Sequence, residues 1–97
     1  MTRYTPKAAR QVAELRRHYE ERERLEAIAA LAAALEAAER RIEDYPEAGL
    51  PAPRPYPEVA RPGRSWIKEG RYWIAYSTRR PLIVAVFYDT ANIPGRL

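Results

Sequence analysis

EGRYWIAYS, residues 69–77, alternates Tyr72, Ile74 and Tyr76 with Arg71, Trp73 and Ala75. A period of two marks a strand whose faces meet different surroundings. The tyrosine–isoleucine–tyrosine row suits a core. The opposite row carries an arginine and a tryptophan. A tryptophan buries about 150–250 Å², which at roughly 25 cal/mol/Å² is about 4–6 kcal/mol of gross apolar transfer, so something should cover it. The candidates are the chain's own arm or tail, preferred for Trp66, and a partner, preferred for Trp73.

Outward from this strand the pattern stays β-rich. SWIK (65–68) leads through Glu69-Gly70 into it, and the turn TRRP (78–81) leads out into LIVAVFY (82–88). Short connections between such runs predict antiparallel hairpins. LIVAVFY is apolar on both faces and is expected to be the most buried strand. The tail, residues 89–97, is polar and broken by Pro94 and Gly95. Upstream, residues 45–63 hold most of the nine prolines. They predict an extended, polyproline-like arm on the surface.

The N-terminal half is helical. Thr5-Pro6 is a start signal, with Thr5 as N-cap and Pro6 at the first helical position, and Tyr4 closes a short strand before it. No glycine or proline interrupts residues 7–44. Val12, Leu15 and Tyr19 form one apolar stripe; Leu25, Ile28, Leu31, Leu35 and Ile42 form another. From Tyr19 to Leu25 the helix turns about 600°, which sets the second stripe about 120° out of phase. The charged run EERER (20–24) lies between them. The expectation is a helical hairpin over residues 6–44, bent near Glu20–Glu23. One continuous helix, pairing as a coiled coil, is the competing reading. Helices followed by a strand meander (64–88) make an α+β fold, with the hairpin packed on a small antiparallel sheet in one domain.

Composition removes several function classes. There is no cysteine, and the only histidine is His18, so disulfides and thiolate or clustered metal sites are excluded. No cofactor signature, phosphate loop or serine triad is visible. The N-terminus lacks an apolar signal region, and the alanine-rich run 25–38 is shorter than a membrane span. The expectation is a cytoplasmic protein with no membrane contact. Residues 1–45 hold equal numbers of acidic and basic side chains, so the net charge of +4 falls on residues 46–97. Between residues 61 and 80, six basic side chains face Glu69 alone.

The order of these pieces resembles a known family. Tyr4 runs into T-P-x-A-x-x-x-x-x-x-L (Thr5 to Leu15). Tyr45-Pro46 and Gly49 end the second helix. Gly70-Arg71-Tyr72-x-Ile74-x-Tyr76 precedes a β-branched last strand. Together these are similar to the RelE/ParE superfamily of small bacterial toxins from type II toxin–antitoxin modules. The resemblance implies a cognate antitoxin whose C-terminal segment lies along the helices and sheet. It also implies one of two targets: DNA gyrase for ParE-like members, or ribosome-bound messenger RNA for RelE-like ones.

Metal-free RNA cleavage requires a base, cations around the phosphorane and an acid for the leaving oxygen. Trp73 follows Tyr72, where RelE-like enzymes carry an arginine. Asp89 follows the last strand and would repel phosphate. His18, on the first helix, reads as a solvated surface residue. The pattern favours the ParE-like branch, with no catalytic residue. The alternative is a divergent endonuclease using Lys68, Arg71 and Tyr88. Target contact is expected at Arg64, Lys68, Arg71, Trp73, Arg79, Arg80, Tyr88, Ile93 and Arg96. Antitoxin contact is expected at Val12, Leu15, Tyr19, Leu31, Leu35 and Trp66.

Overall fold

The computed structural model describes residues 2–97. Its first helix, α1, spans Pro6–Glu21, and Thr5 caps it by accepting a hydrogen bond from the Ala8 N–H at 3.1 Å. The second, α2, spans Leu25–Asp44. The chain breaks between them at Glu23, whose φ is 53°. The Arg24 N–H then bonds to the Tyr19 carbonyl at 2.8 Å and closes the turn. The hairpin reading holds, and the continuous helix does not form. A run of five charges offers no apolar side chain to hold a helix against the sheet, so the bend costs no core contact.

The sheet has the order β1-β4-β3-β2, from β1 (Arg3–Tyr4), β2 (Arg64–Glu69), β3 (Tyr72–Ser77) and β4 (Leu82–Tyr88). The meander β2–β3–β4 is antiparallel as expected. Strand β1 runs parallel to β4, so the whole sheet is mixed. The register shifts between Ala75 and Tyr76, which puts one extra residue, Val84, into β4. Beyond the two residues of β1, the open edge of β4 is completed by α1. The Gln11 side-chain carbonyl accepts from the Val86 N–H at 2.8 Å, and the Thr5 N–H bonds to the Ile83 carbonyl at 2.9 Å.

Each face of the sheet has its own core. Tyr72, Ile74 and Tyr76 pack with Ile67, Ile83 and Val86 against Ala8, Leu31, Ala34, Ala38 and Ile42 of the helices. The small residues Ala34 and Ala38 let α2 lie close to the strands. On the other face, Trp66, Trp73, Ala75, Ala85, Phe87 and Ile93 form a second cluster, which Leu50, Tyr56 and Val59 of the arm join. Trp66 and Phe87 stack with ring centroids 6.3 Å apart. With both faces covered, β3 is buried over five of its six residues, and β4 is less so. The expectation that β4 is the most buried strand fails because β3 is central, whereas β4 has only the two-residue β1 beyond it.

The arm is less extended than its prolines suggest. It makes a 3₁₀ turn at Pro57–Val59. At Leu50 it adds a bridge to the free edge of β2, where Leu50 and Trp66 exchange two backbone hydrogen bonds of 2.7 Å each. Gly49 makes this approach possible. A Cβ there would lie 2.5 Å from the Tyr76 hydroxyl oxygen and 2.8 Å from the Ser65 Cβ. The Tyr76 hydroxyl itself donates to the Pro46 carbonyl at 2.7 Å.

Candidate interaction surfaces at the two ends of the sheet

The two ends of the sheet differ in how their charges are matched. At the end where β3 begins and β4 finishes, Asp89 lies 3.6 Å from Lys68 and 3.5 Å from Arg71. The Asp89 N–H also bonds to the Arg71 carbonyl at 2.8 Å, which fixes the carboxylate beside both cations. The Arg71 guanidinium sits 5.6 Å from the centroid of the Tyr88 ring. Nearby, Arg41 reaches Glu69 at 3.4 Å and donates to the Lys68 carbonyl at 3.2 Å. Sequence reasoning saw Asp89 as a repeller of phosphate. Its larger effect here is to pair with Lys68 and Arg71 together, offsetting part of their joint charge.

A cleft of about 830 Å³ opens beside this network, between α1, the hairpin turn and the end of β4. His18, Arg24, Arg71, Tyr88 and Arg96 lie around it. His18 is exposed as expected, yet the fold brings it to the wall that also carries Tyr88. No spacing in the sequence relates residues 18 and 88; the packing of α1 along β4 does. The Arg22 guanidinium donates to His18 Nδ1 at 3.0 Å, so Nδ1 is an acceptor and a neutral ring carries its proton on Nε2. At the back of the cleft the Tyr19 and Tyr72 hydroxyls are 2.7 Å apart. Burial, and then the bond to Tyr19, push the Tyr72 hydroxyl well above the usual tyrosine range. Each guanidinium at the rim has a carboxylate: Arg24 with Glu26 at 2.7 Å, Arg71 with Asp89, and Arg96 with Glu14 at 4.0 Å. A phosphate entering here would compete with three carboxylates.

The opposite end, where β2 begins and the β3–β4 turn lies, has no such matching. Lys7, Arg61 and Arg64 line a shallow depression of about 380 Å³. Arg79 lies beside Gly63, with its Nε 3.5 Å from the place a Cβ on that glycine would occupy. Partial burial, and then the charge on Arg61, lower the pKa of the Arg64 guanidinium. Among the described residues, Lys7, Arg61, Arg64, Arg79 and Arg80 form no ion pair.

The residues expected on partner surfaces divide by burial. Arg71, Arg79, Arg80 and Arg96 are exposed, and Arg64, Lys68 and Tyr88 are half-buried. Trp73 and Ile93, expected to face a target, are core residues at 3% and 0% exposure. Trp73 is closed over by the arm, with the Arg54 guanidinium 5.6 Å from its ring centroid, and by Lys68 at 5.9 Å. Ile93 carries the tail into the second core, in keeping with the tail as one of the covers expected for the tryptophan face. Of the residues expected to meet a neutralising partner, Val12, Leu15 and Leu35 are half-buried at the margin of the helix-side core. Tyr19, Leu31 and Trp66 are inside the two cores. Gln11, which completes the sheet edge, was not signalled by any pattern; a buried glutamine at a helix position gives no periodic cue.

Among the described residues no group of three histidine, cysteine or acidic side chains is placed to hold a metal ion. No helix is long and apolar enough to cross a membrane. In comparison with known proteins, residues 2–89 match a family model described as ParE toxin of type II toxin-antitoxin system, parDE. No curated protein matches the chain.

Proposed function

This chain belongs to the ParE toxin family of type II toxin–antitoxin systems, and from that premise we propose that it arrests growth by binding DNA gyrase and is silenced by a cognate antitoxin. The toxin acts stoichiometrically, through occupation of a partner protein rather than turnover. The observation that carries this reading is the Asp89 network. Arg71, whose guanidinium lies over the Tyr88 ring, shares the Asp89 carboxylate with Lys68. That carboxylate offsets part of their joint charge and would repel a dianionic phosphorane placed beside them. Such a network is better suited to presenting Tyr88, Arg71 and Arg96 to another protein, for which arginine and tyrosine are the usual anchors.

Gyrase contact falls on the end of the sheet that carries Tyr88, at Lys68, Arg71 and Arg96 together with Tyr88; Arg64, Arg79 and Arg80, expected on the same surface, lie at the opposite end. The antitoxin covers the half-buried row Val12, Leu15 and Leu35, where an apolar face can be completed without opening the core. Cytoplasmic action follows from the identity of the target. Purified gyrase, relaxed plasmid, ATP and the toxin, assayed for supercoiled and cleaved DNA, test the reading. Inhibited supercoiling or trapped cleaved plasmid, reversed by the antitoxin, is the expected result. The cleft that joins His18, Tyr88 and three guanidiniums favours the second reading, a ribosome-dependent endonuclease. Mapped breaks in translated messages together with unaffected gyrase would establish that reading in place of the first.

A further inference from the structure

The cationic end of the sheet is not explained by protein binding alone. Lys7, Arg61 and Arg64 line one depression there, Arg79 lies beside Gly63 and Arg80 follows it in the turn, and none of the five is paired with a carboxylate among the described residues. Glu58, the nearest acidic residue in sequence, makes no ion pair with them. At the other end of the same sheet Lys68 and Arg71 share Asp89, and Arg41 reaches Glu69. Arg61 and Arg64 line the same depression, and partial burial followed by the charge on Arg61 disfavours the charged form of Arg64. A like-charge cluster of this kind raises the energy of the free protein and is relieved by a polyanion.

We infer that the face carrying Lys7, Arg61, Arg64, Arg79 and Arg80 binds the phosphodiester backbone of double-stranded DNA without reading its sequence. The side chains there are four guanidiniums, whose planar forks match phosphate and carboxylate oxygens alike, and one ammonium, a point charge. The absence of an aromatic anchor favours a phosphate backbone over an acidic peptide. Protein interfaces instead deplete charge at their centre and seat aromatic or apolar anchors there. This face has no aromatic anchor: the aromatic residues of the nearby strands are in the cores, and the apolar lining of the depression is Val59, Ala60, Val84 and Ala85 with the exposed Leu97. The choice of DNA over RNA rests on the proposed gyrase target, an enzyme that holds duplex. The toxin would grip both the enzyme and its substrate.

The test uses the whole chain without gyrase, so its failure is distinct from failure of the gyrase reading. A labelled duplex of about 20 base pairs and mixed sequence is titrated at about 50 and about 150 mM salt. Five neutralised phosphates give a log–log salt slope of about −4.5, so affinity falls by about 140-fold over that range. The variant R61A/R64A/R79A should give a slope of about −1.8 and a fall of about sevenfold. R79E/R80E, on the exposed turn alone, should also lose binding, and it stands in if the triple variant is poorly folded. R16A/R17A, which removes two exposed charges from α1, should leave the slope unchanged. A wild-type slope shallower than about −1 would overturn the inference. So would equal loss in R16A/R17A, or displacement of the duplex by a polyglutamate peptide of equal charge as effectively as by unlabelled DNA.

Discussion

Replacing Trp73 with alanine separates a core residue from a partner anchor, and it can be read on the free protein. The ring is 3% exposed, between Phe87 and the arm. A chain of this size has a total stability of about 5–15 kcal/mol. Removing a buried aromatic costs about 3–5 kcal/mol, from lost transfer and the cavity left behind. With an m-value of about 1.5 kcal/mol/M, the urea midpoint should fall by about 2–3 M, followed by far-UV circular dichroism. At the upper end of the cost the variant would be largely unfolded without denaturant. W73F is therefore the companion: it keeps a ring in the cavity and should lose only about 1–2 kcal/mol. Both variants should gain amide exchange at Leu50 and Trp66, because the arm loses the surface it rests on. Were Trp73 a partner anchor, exposed in the free state, W73A would fall within about 0.5 kcal/mol of wild type, the usual range for surface changes. That result would refute the account of the second core.

Gly49→Ala should push the arm off the Tyr76 hydroxyl and the Ser65 side chain, losing the bond to the Pro46 carbonyl; a fall of about 1–3 kcal/mol in denaturant melts is expected. Gln11→Leu leaves the Val86 N–H buried without an acceptor and should cost about 1–3 kcal/mol, seen also as faster exchange of that amide. Tyr72 has its folded-state pKa raised above the ordinary 10.0, so its stabilisation is complete below pH about 10 and is lost as pH rises further, while the unfolded chain ionises first. Thermal melts across pH 9 to 11 should show that alkaline loss, and it should be smaller in Y72F. Asp89→Asn releases Lys68 and Arg71; if the paired network is what weakens phosphate binding, single-stranded RNA should bind D89N more tightly than wild type, and unchanged binding would remove that argument.

The elements of this fold were legible because each has a local physical cause. Thr5-Pro6 starts a helix by chemistry confined to a few residues, and the phase jump across residues 20–24 records a bend that the backbone then makes at Glu23. The alternation around Trp73 showed that the sheet has two distinct faces. The arm and tail were the cover expected for Trp66 and they are found there; that they also close over Trp73, where a partner was expected, was not legible. The arm reaches Trp66 through two backbone bonds from Leu50, and backbone bonds leave no side-chain pattern. The tail's single buried residue, Ile93, sits among polar neighbours and carries no periodicity. The candidate site divides in the same way. The excess of cations in residues 61–80 was plain in the sequence. Which of them are answered by carboxylates depends on Asp89 and Glu69, whose partners are set by strand ends meeting in space.

The short bridge at Leu50 and the side chains of Thr5 and Gln11 have one consequence in common. Between them they occupy donor and acceptor positions on both outer margins of the sheet. Exposed margins of this kind recruit further strands and lead to insoluble assemblies. A chain sealed in this way can remain dissolved as a solitary molecule whenever its inhibitor is missing, which is when a toxin has work to do.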